Sequence, residues 1–293
     1  MNVWRRGLFT LAWSLGWSLQ AAGRAATYLA AGALTREELR GANDRHWDTW
    51  GKDERYILSG LLYWEEECYD RFLRPGDTIL VVGCGTGREL IAFARRRHAV
   101  TGIEPVGGAV EIARQMLDKL GLQAHAAVHH GPVEAGDLAG AFDVVIFSWC
   151  CYGYIPESRA RVAVLRKTKA VLNAGGRIIL FYVPATARWA LAGRLTRLVA
   201  WLTRADWTPE NGDHVGVSFS DRKAVHFEHP FEQAELEAEA RSAGLRVLFQ
   251  RHVDVAVCVL TGPGARRDAP RGGRRARARG RQAAAAAPPR SPR

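Results

Sequence analysis

The stretch ILVVGCGTGREL, residues 79–90, decides the fold of this 293-residue chain. It opens with four aliphatic residues that predict a buried strand, and its last residues begin a segment with helical periodicity. Three glycines separate these two elements. Glycine allows a tight turn and lets a ligand approach the backbone, and the helix that follows offers free N–H groups. We therefore predict a ligand site at the turn formed by Gly83, Cys84, Gly85 and Gly87.

The spacing of this turn excludes two common nucleotide-binding motifs. A dinucleotide fingerprint requires glycine or alanine where Arg88 stands, and a P-loop requires a Gly-Lys-Ser/Thr sequence that the turn lacks. The pattern is GxGxG instead. The next predicted strand ends in GIEP, which places Glu104 21 residues after Gly83. A carboxylate at this position can accept hydrogen bonds from both hydroxyls of a ribose, so the two features together indicate a ribose-containing ligand.

Around this stretch, short β-rich runs alternate with helical segments between Asp77 and Leu260. The alternation predicts βαβ units and a parallel sheet with helices on both faces. Two final runs are joined by so few residues that they must pair antiparallel. The predicted strands are 79–82, 100–103, 126–130, 144–147, 178–183, 246–250 and 255–260, and the predicted helix ends are Gly121 and Gly175.

Five motifs follow one another along the chain in the order VVGCGTG, GIEP, FDVVIFSW, LNAGGRIIL and HPFEQAELEAEARSAGLRV. In this order the chain resembles the class I S-adenosylmethionine-dependent methyltransferases over about residues 77–260. The resemblance implies a Rossmann-like, doubly wound α/β fold. Its sheet would be seven-stranded and mostly parallel with an antiparallel last strand, and N-terminal helices and a helical insert would be added to it. The resemblance also implies S-adenosyl-L-methionine as the cofactor.

The resemblance assigns roles to individual residues. The glycines of the turn would line the methionine part of the cofactor, and Glu104 would hold its ribose. Phe147 and Ser148, at the end of the fourth strand, would border the methyl group that is transferred.

Two positions depart from the family pattern. Val81 stands where an acidic residue often supports the contact to the cofactor's amino group, so that contact must come from elsewhere or be weaker. The acidic residue that usually reaches the adenine amine is either Glu134 or Asp137 in this chain. We retain Glu134 as the predicted cofactor residue.

Methyl transfer from a sulfonium is an in-line displacement, so alignment and exclusion of water supply much of the catalysis. A general base is required only when the acceptor is protonated at the working pH. We predict His229 as the base, since HPF directly precedes a helix at the family's substrate-facing edge, and Tyr154 as a second catalytic residue. The candidates for the acceptor site are Trp149, Tyr152, Tyr154, His214, His226, His229 and Phe231.

The cysteines indicate neither a metal site nor a disulfide framework, because they are odd in number and lack CxxC or Cys/His spacing. A reducing compartment follows as the default. The vicinal pair is either redox-active or two small apolar residues after a buried strand. The five cysteines are Cys68, Cys84, Cys150, Cys151 and Cys258.

The N-terminal segment, residues 1–34, contains 17 consecutive uncharged residues between Gly7 and Gly23. This length is short for a spanning helix. Polar residues recur every four positions and form a narrow stripe on an apolar helix. The segment is an interfacial anchor, a helix packed on its own domain, or a signal or spanning segment. The stripe consists of Arg6, Thr10, Ser14 and Ser18.

Two helical regions accompany the predicted sheet. Residues 35–73 have helical character and an aromatic-rich apolar face. The insert ARWALAGRLTRLVAWLTRADW, residues 187–207, predicts a basic amphipathic helix in which arginines interleave with tryptophans and leucines. This helix is either a lid over the pocket or a membrane-contacting surface.

The charge of the chain is concentrated in its last segment. The formal net charge is +11, but residues 262–293 contain ten arginines and one aspartate, which leaves +2 for the first 261 residues. This segment lacks large apolar residues, so we expect a disordered tail after a methyltransferase domain at 35–261. A nearly neutral domain disfavours nucleic acid as a partner, except non-specifically through the tail.

The expected function is methyl transfer to a small-molecule, apolar or lipid-like acceptor. The alternatives are a nucleic-acid or protein methyltransferase that uses the basic tail, and a non-catalytic cofactor-binding module. We expect a cytoplasmic protein, with membrane association as an open alternative because of its two apolar helices.

Overall fold

The computed structural model describes residues 3–185, 190–218, 225–252 and 255–262. The strands in this part of the chain are β1 (Thr78–Val82), β2 (Ala99–Glu104), β3 (Ala126–His130), β4 (Phe142–Phe147), β5 (Leu172–Tyr182), β6 (His214–Val217), β7 (Val225–Glu228), β8 (Arg246–Arg251) and β9 (Ala256–Thr261). Seven of them form one sheet in the order β3-β2-β1-β4-β5-β9-β8. β1 to β5 are parallel, and β9 is antiparallel to both of its neighbours. The predicted seven-stranded, mostly parallel sheet with an antiparallel last strand is confirmed.

The helices in the described residues are α1 (Val3–Gly32), α2 (Arg36–Asp48), α3 (Glu54–Ile57), α4 (Tyr63–Phe72), α5 (Arg88–Arg95), α6 (Gly107–Lys119), α7 (Ser158–Ala170), α8 (Ala190–Thr203) and α9 (Gln233–Ser242), with a 3₁₀ segment at Ser148–Tyr154. The region predicted as helical over 35–73 is divided into α2, α3 and α4. Gly51 and Gly60 separate these helices with φ angles of 68° and 82°, which glycine adopts without steric cost. Thr35 and Glu38 form a capping box that sets the start of α2.

Strand β1 is central to the sheet and is buried on both faces. Ile79 and Val81 belong to an apolar core shared with α4, α5 and α6. Leu80 and Val82 belong to a second core shared with α7 and α9. Successive side chains of a strand point to opposite faces, so these two cores lie on opposite sides of the sheet. Helices cover both faces, as the alternating pattern predicts.

Two predicted helix ends have different outcomes. Gly121 follows α6 directly and has a φ of 65°, as expected of a residue that ends a helix. The prediction for Gly175 is wrong, because α7 ends at Ala170 and Gly175 lies inside β5 with a φ of 78°. The pairing of β4 with β5 shifts register at this point. Gly175 therefore lies at a β-bulge in β5. The β6–β7 hairpin follows the predicted insert helix and has no counterpart among the predicted strands.

The end of α1 packs against α8, and two residues of α1 join a third apolar cluster with residues of α2, β6 and β7 and with Trp207. A Cβ on Gly32 would lie 2.5 Å from the carbonyl oxygen of Thr196, so glycine is required for this close approach. Tyr28 and Ala31 are buried here, although both precede the predicted domain boundary after residue 34. The last part of α1 is thus integrated with the domain. The cluster consists of Tyr28, Ala31, Leu39, Trp207, Val215 and Phe227.

No helix in the described part of the chain is long and apolar enough to cross a membrane. The first part of α1 is exposed on all sides over residues 4–15. The predicted tail lies outside the described residues from 263 onward, as do residues 186–189 at the start of the predicted insert helix. The domain boundaries and the tail therefore stay predictions.

Candidate active site

A cleft opens at the carboxyl ends of β1, β2 and β4, where α2 and α3 approach the sheet. It encloses about 1180 Å³ of empty space, counted to its open mouth. Its lining combines carboxylates and the glycine turn with aromatic rings.

The glycine turn lies between β1 and α5, where the sequence predicts it. Gly83, Gly85 and Gly87 have φ angles of 72°, 54° and 92°, a region that other residues rarely adopt. A Cβ on Gly85 would meet no atom within 4 Å, because this position faces the open cleft. Gly87 does not line the cleft, and a Cβ there would lie 3.1 Å from the Cβ of Ala113. Cys84 borders the cleft and buries its side chain in the core.

Glu104 ends β2 and joins the second strand to the turn. Its Oε2 accepts a hydrogen bond from the backbone N–H of Gly85 at 2.8 Å, and its Oε1 accepts one from Val106 at 3.0 Å. Burial raises the pKa of this carboxyl to about 7. The structure therefore places Glu104 in the cleft beside Gly85, where a ribose could reach its remaining acceptor positions.

Glu134 lies on the same side of the cleft as Glu104, after β3. It lines the cleft and forms an ion pair of 3.4 Å with Arg40 of α2. The alternative residue, Asp137, is not among the residues that line the cleft. The geometry favours Glu134 of the two residues that the sequence left open.

The chain turns sharply at the end of β4. Phe147 is fully buried against a tyrosine ring and does not line the cleft. Ser148 does line it, and its hydroxyl donates to the carboxylate of Glu89. Trp149 and Cys150 have φ angles of 46° and 63°. Such strain costs about 1–3 kcal/mol per non-glycine residue and is concentrated at functional sites.

Five aromatic side chains form a wall of the cleft. The ring of Trp47 lies 5.6 Å from that of Tyr154 and 6.5 Å from that of Trp50. The Nε1–H of Trp47 is buried and has no hydrogen-bond partner among the described residues, so it is free for a ligand acceptor. Burial raises the pKa of Tyr154, which keeps its phenol protonated as a hydrogen-bond donor. The aromatic wall consists of Trp47, Trp50, Tyr56, Trp149 and Tyr154.

A buried ionic cluster beside the turn escaped the sequence analysis. Arg88 donates from Nη1 to Glu65 and to the carbonyl oxygen of Gly60, both at 2.7 Å, and its Nη2 also contacts Glu65. Glu89 lies 3.9 Å from the same guanidinium and accepts a 2.5 Å hydrogen bond from Tyr69. In the sequence, the indication of this cluster is the pair of adjacent charged residues Arg88 and Glu89 at the predicted start of a helix. Their partner Glu65 is distant in sequence and comes from α4.

The predicted base His229 lies outside the cleft, and its surroundings correct the prediction. Its Nδ1 is 2.6 Å from Asp213 and its Nε2 is 3.1 Å from Glu235. Burial alone would lower the pKa of His229, but hydrogen bonds to these two carboxylates raise it to about 9. A buried imidazolium with both nitrogens engaged cannot accept a proton from a ligand in the cleft.

The remaining acceptor-site candidates also lie behind the cleft lining. Tyr152 and Phe231 are buried and stack at 5.5 Å. His226 stacks on His46 at 4.1 Å and contacts the outer side of the aromatic wall. Burial lowers the pKa of His226 to about 3. In the described part of the chain, Trp149 and Tyr154 are therefore the predicted acceptor-site residues that line the cleft.

One group of side chains has the composition of a metal site. Glu210, Asp213 and His229 bring possible ligand atoms within 4.8 Å of one another. However, the guanidinium of Arg161 already pairs with Glu210 at 2.8 Å, and His229 is itself cationic. These positive charges neutralise the carboxylates, so the group is explained as a buried ion-pair network.

The vicinal cysteines belong to the turn after β4. Cys151 lines the cleft, and its thiol donates to the carbonyl oxygen of Val82 at 3.3 Å. Burial raises the pKa of both Cys150 and Cys151. Both are free thiols. Their chemistry is that of small buried side chains, because the thiolate is the reactive form.

Comparison with known proteins agrees with this architecture. Residues 79–176 match a family model described as a methyltransferase domain. A solved S-adenosylmethionine-dependent methyltransferase from Methanosarcina mazei has a TM-score of 0.53 at 18% identity, covering 69% of this chain and 98% of the other. Another, from Clostridium acetobutylicum ATCC 824, has a TM-score of 0.50 at 13% identity, covering 72% and 96%. Residues 79–176 thus match the methyltransferase domain family, and the described fold is that of solved S-adenosylmethionine-dependent methyltransferases.

A curated relative has a more specific name. The ubiquinone biosynthesis O-methyltransferase of Xanthomonas axonopodis pv. citri (strain 306) is 28% identical to this chain over 173 residues. The match covers 59% of this chain and 64% of the relative. The chain thus spans less than two thirds of the length of that relative.

The residues of the cleft fit the family's cofactor, S-adenosylmethionine. The open face of Gly85 leaves room for a ligand against the backbone, and Glu104 offers a carboxylate at the end of β2. Four carboxylates and two guanidiniums line the cleft, an excess that attracts a cation. The cofactor carries a sulfonium and an ammonium. The charged lining residues are Arg40, Asp44, Arg88, Glu89, Glu104 and Glu134.

Proposed function

We propose that this chain is an S-adenosylmethionine-dependent methyltransferase that methylates a hydroxyl group on an apolar, ring-bearing small molecule. The aromatic wall carries the proposal, because it offers flat apolar surfaces to a ligand in the cleft. Flat aromatic side chains favour offset or edge-on contact with another ring. The name of the curated relative, an O-methyltransferase, supports oxygen as the acceptor atom.

The cofactor supplies an electrophilic methyl group, and the acceptor oxygen attacks it while the sulfur keeps the electron pair of the broken bond and becomes a neutral thioether. The residues of the cleft then have three tasks. The wall excludes water and fixes the acceptor ring, which aligns its oxygen with the methyl group. Trp47 can donate a hydrogen bond to a polar atom of the acceptor, whereas the hydroxyl of Tyr154 donates to the carbonyl oxygen of Trp149 at 3.3 Å. No histidine lines the cleft in the described residues, so the hydroxyl proton passes to a carboxylate of the lining or to water at the open mouth.

Radiolabelled S-adenosylmethionine added to a cell extract with the enzyme tests the acceptor class. We expect the label in a fraction that organic solvent extracts. Label in protein or nucleic acid would contradict the proposal, and its loss on truncation after Thr261 would then favour a substrate held by the basic tail.

The role of the aromatic wall is tested with a tryptophan pair. Trp47→Ala should raise the KM for the isolated acceptor by about 10-fold or more, because a large flat contact is lost, and leave the affinity for the cofactor within about threefold. Trp13→Ala is the matched control, since Trp13 is 59% exposed on α1 and far from the cleft lining. An unchanged KM in the Trp47 variant would place the acceptor elsewhere.

We also propose that α1 and α8 contact anionic membranes peripherally. On α1, Trp4 is 85% exposed, and on α8, Trp201 is 74% exposed. The hydroxyls of Thr10 and Ser18 donate to the carbonyl oxygens of Arg6 and Ser14, each at 2.9 Å. Two of the four residues of the predicted polar stripe therefore satisfy their hydroxyls within the helix, which lowers the cost of placing them in an apolar environment.

The charges on the two helices favour the same partner. Arg5 and Arg6 are exposed at the start of α1, and Arg194 is exposed on α8. Each arginine near an anionic surface is attracted by about 1 kcal/mol. We expect the protein to float with vesicles that contain phosphatidylserine and to float less well after Trp13→Glu and Trp201→Glu. Equal flotation of the variant, or no flotation of the parent, would overturn the proposal.

A further inference from the structure

We propose that Glu89 binds the α-ammonium group of S-adenosylmethionine and replaces the acidic residue that the chain lacks at position 81. Val81 is fully buried in the apolar core and offers no polar group. Glu89 lies in the first turn of α5, two residues after Gly87, and lines the cleft although it is 2% exposed. The carboxylate thus lies on the helix after the glycine turn, whereas the family pattern often has it on the strand before the turn.

Two hydroxyl groups fix the orientation of the Glu89 carboxylate. Oε1 accepts a hydrogen bond from Tyr69 of α4 at 2.5 Å, and Oε2 accepts one from Ser148 at the end of β4. An ionised carboxylate has about four acceptor positions, so these two bonds leave positions for a further donor. The carboxylate is therefore held rigidly at the cleft with unused acceptor capacity.

In the described residues, the two buried carboxylates Glu65 and Glu89 lie beside a single guanidinium, that of Arg88. Glu89 pairs with it at 3.9 Å. That guanidinium is already engaged by Glu65 through two hydrogen bonds and by the carbonyl oxygen of Gly60. One cation therefore serves two buried carboxylates. A bound ammonium would supply the missing positive charge and a charge-assisted hydrogen bond.

Glu89 and Glu104 lie in different parts of the cleft lining, which separates their effects. Glu104 contacts the backbone of Gly85 at the end of β2, the side predicted for the ribose. Glu89 contacts Ser148 at the end of β4, the side predicted for the transferred methyl group, and it lies two residues after the glycine turn predicted to line the methionine part. Loss of Glu89 should therefore affect ligands that carry the amino-acid group, and loss of Glu104 should affect every ligand that carries the ribose.

Calorimetric titration of the full chain with three probes tests the proposal. S-adenosylmethionine and S-adenosylhomocysteine carry the α-ammonium group, and 5′-methylthioadenosine has the same nucleoside without it. Glu89→Gln keeps the shape of the side chain and removes its charge. We expect this variant to lose about 10- to 100-fold in affinity for the first two probes and less than threefold for the third.

Glu104→Gln is the matched control and should weaken all three probes by similar factors. The melting temperature of each variant shows whether it is folded. Ser148→Ala is a milder variant, because it removes one of the two hydroxyls that hold the Glu89 carboxylate and keeps the charge of Glu89. An equal loss for all three probes in the Glu89 variant would show a structural role and overturn the proposal. Unchanged affinity for S-adenosylmethionine would also overturn it.

Discussion

Two buried arginines on opposite faces of the sheet are surrounded by similar groups. Arg161 in α7 pairs with Glu239 at 2.7 Å and Glu210 at 2.8 Å, and Tyr152 donates to Glu239 at 2.7 Å. Arg88 in α5 pairs with Glu65, and its second carboxylate neighbour also accepts from a tyrosine. Each arginine thus has two carboxylates and one tyrosine.

The two arrangements differ in their access to the cleft. Arg161 is fully buried, and all three of its guanidinium nitrogens donate within the protein. Arg88 and Glu89 line the cleft. We name the two groups the sealed cluster (Arg161, Glu210, Glu239) and the open cluster (Arg88, Glu65, Glu89). The same residue types join α7 to α9 in one place and leave a carboxylate available to a ligand in the other.

The largest expected effect is on the sealed cluster. Arg161→Met should lower the free energy of unfolding by about 3–5 kcal/mol, because it leaves two carboxylates without their counter-charge. The affinity for S-adenosylmethionine should stay within about threefold, since the sealed cluster does not line the cleft. Urea denaturation measures the first quantity and calorimetric titration the second.

Arg159→Met is the control for this variant. Arg159 lies two residues away, is 72% exposed and pairs with Glu157 at 3.0 Å. Glu157 is buried but keeps its ion pair with Arg36, so loss of the exposed Arg159 should cost only about 0–1 kcal/mol and leave this variant nearly as stable as the parent. A large loss of cofactor affinity in Arg161→Met would contradict the separation of the two clusters.

The second effect concerns His229, which adjoins the sealed cluster through Glu210 at 4.0 Å. The pKa of His229 is raised from its ordinary 6.5 to about 9 in the folded protein. Its contribution to stability is therefore complete below pH 6.5 and lost as the pH rises toward 9, and it amounts to about 3 kcal/mol. Urea unfolding of the parent and of His229→Gln at pH 6 and pH 9.5 measures it. A stability difference between the two proteins that does not shrink with pH would refute this assignment.

The fold and the turn could be predicted because their signals are local. A strand, three glycines and a helix are continuous in sequence, and Glu104 ends the next strand, so the position of both at one edge of a parallel sheet follows from the pattern. The clusters could not be predicted, because their partners come from distant segments. Glu65 lies 23 residues before Arg88, and Glu239 lies 78 residues after Arg161.

The error at His229 has the same cause. Its position before a helix resembles a substrate-facing edge, but Asp213 and Glu235 engage its two nitrogens, and only the folded chain brings them together. Of the two interpretations of the insert, the lid over the pocket is not supported by the described residues. The described side chains of α8 do not line the cleft, because the helix packs on α1. That contact depends on Gly32, whose role is apparent only from the close approach.

The third effect belongs to the open side of the molecule and appears in ligand affinity. The pKa of Glu104 is raised to about 7 by burial, so this carboxyl is largely protonated below pH 7 and charged above it. A charged carboxylate attracts the cationic cofactor and accepts ribose hydrogen bonds. The affinity for S-adenosylmethionine should therefore rise about tenfold between pH 6 and pH 8, which corresponds to about 1.4 kcal/mol.

Titration at both pH values, with Glu104→Gln as the control, tests this dependence. The variant cannot ionise at this position, so its affinity should change much less over the same range. An equally steep pH dependence in the variant would assign the titration to another group.

The smallest expected effect concerns α1, which lies outside both clusters. Deletion of residues 1–22 should change the free energy of unfolding by less than about 0.5 kcal/mol, since the removed side chains are mostly exposed. Deletion of residues 1–34 should cost several kcal/mol by removing Tyr28 and Ala31 from their buried positions. Urea denaturation distinguishes the two deletions. We expect the shorter deletion to leave the cofactor affinity unchanged, because α1 belongs to neither cluster.

If the shorter deletion keeps stability and cofactor affinity but loses flotation with anionic vesicles, the exposed part of α1 serves membrane contact alone. A loss of cofactor affinity would instead couple α1 to the cleft and contradict the division of the molecule into sealed and open regions.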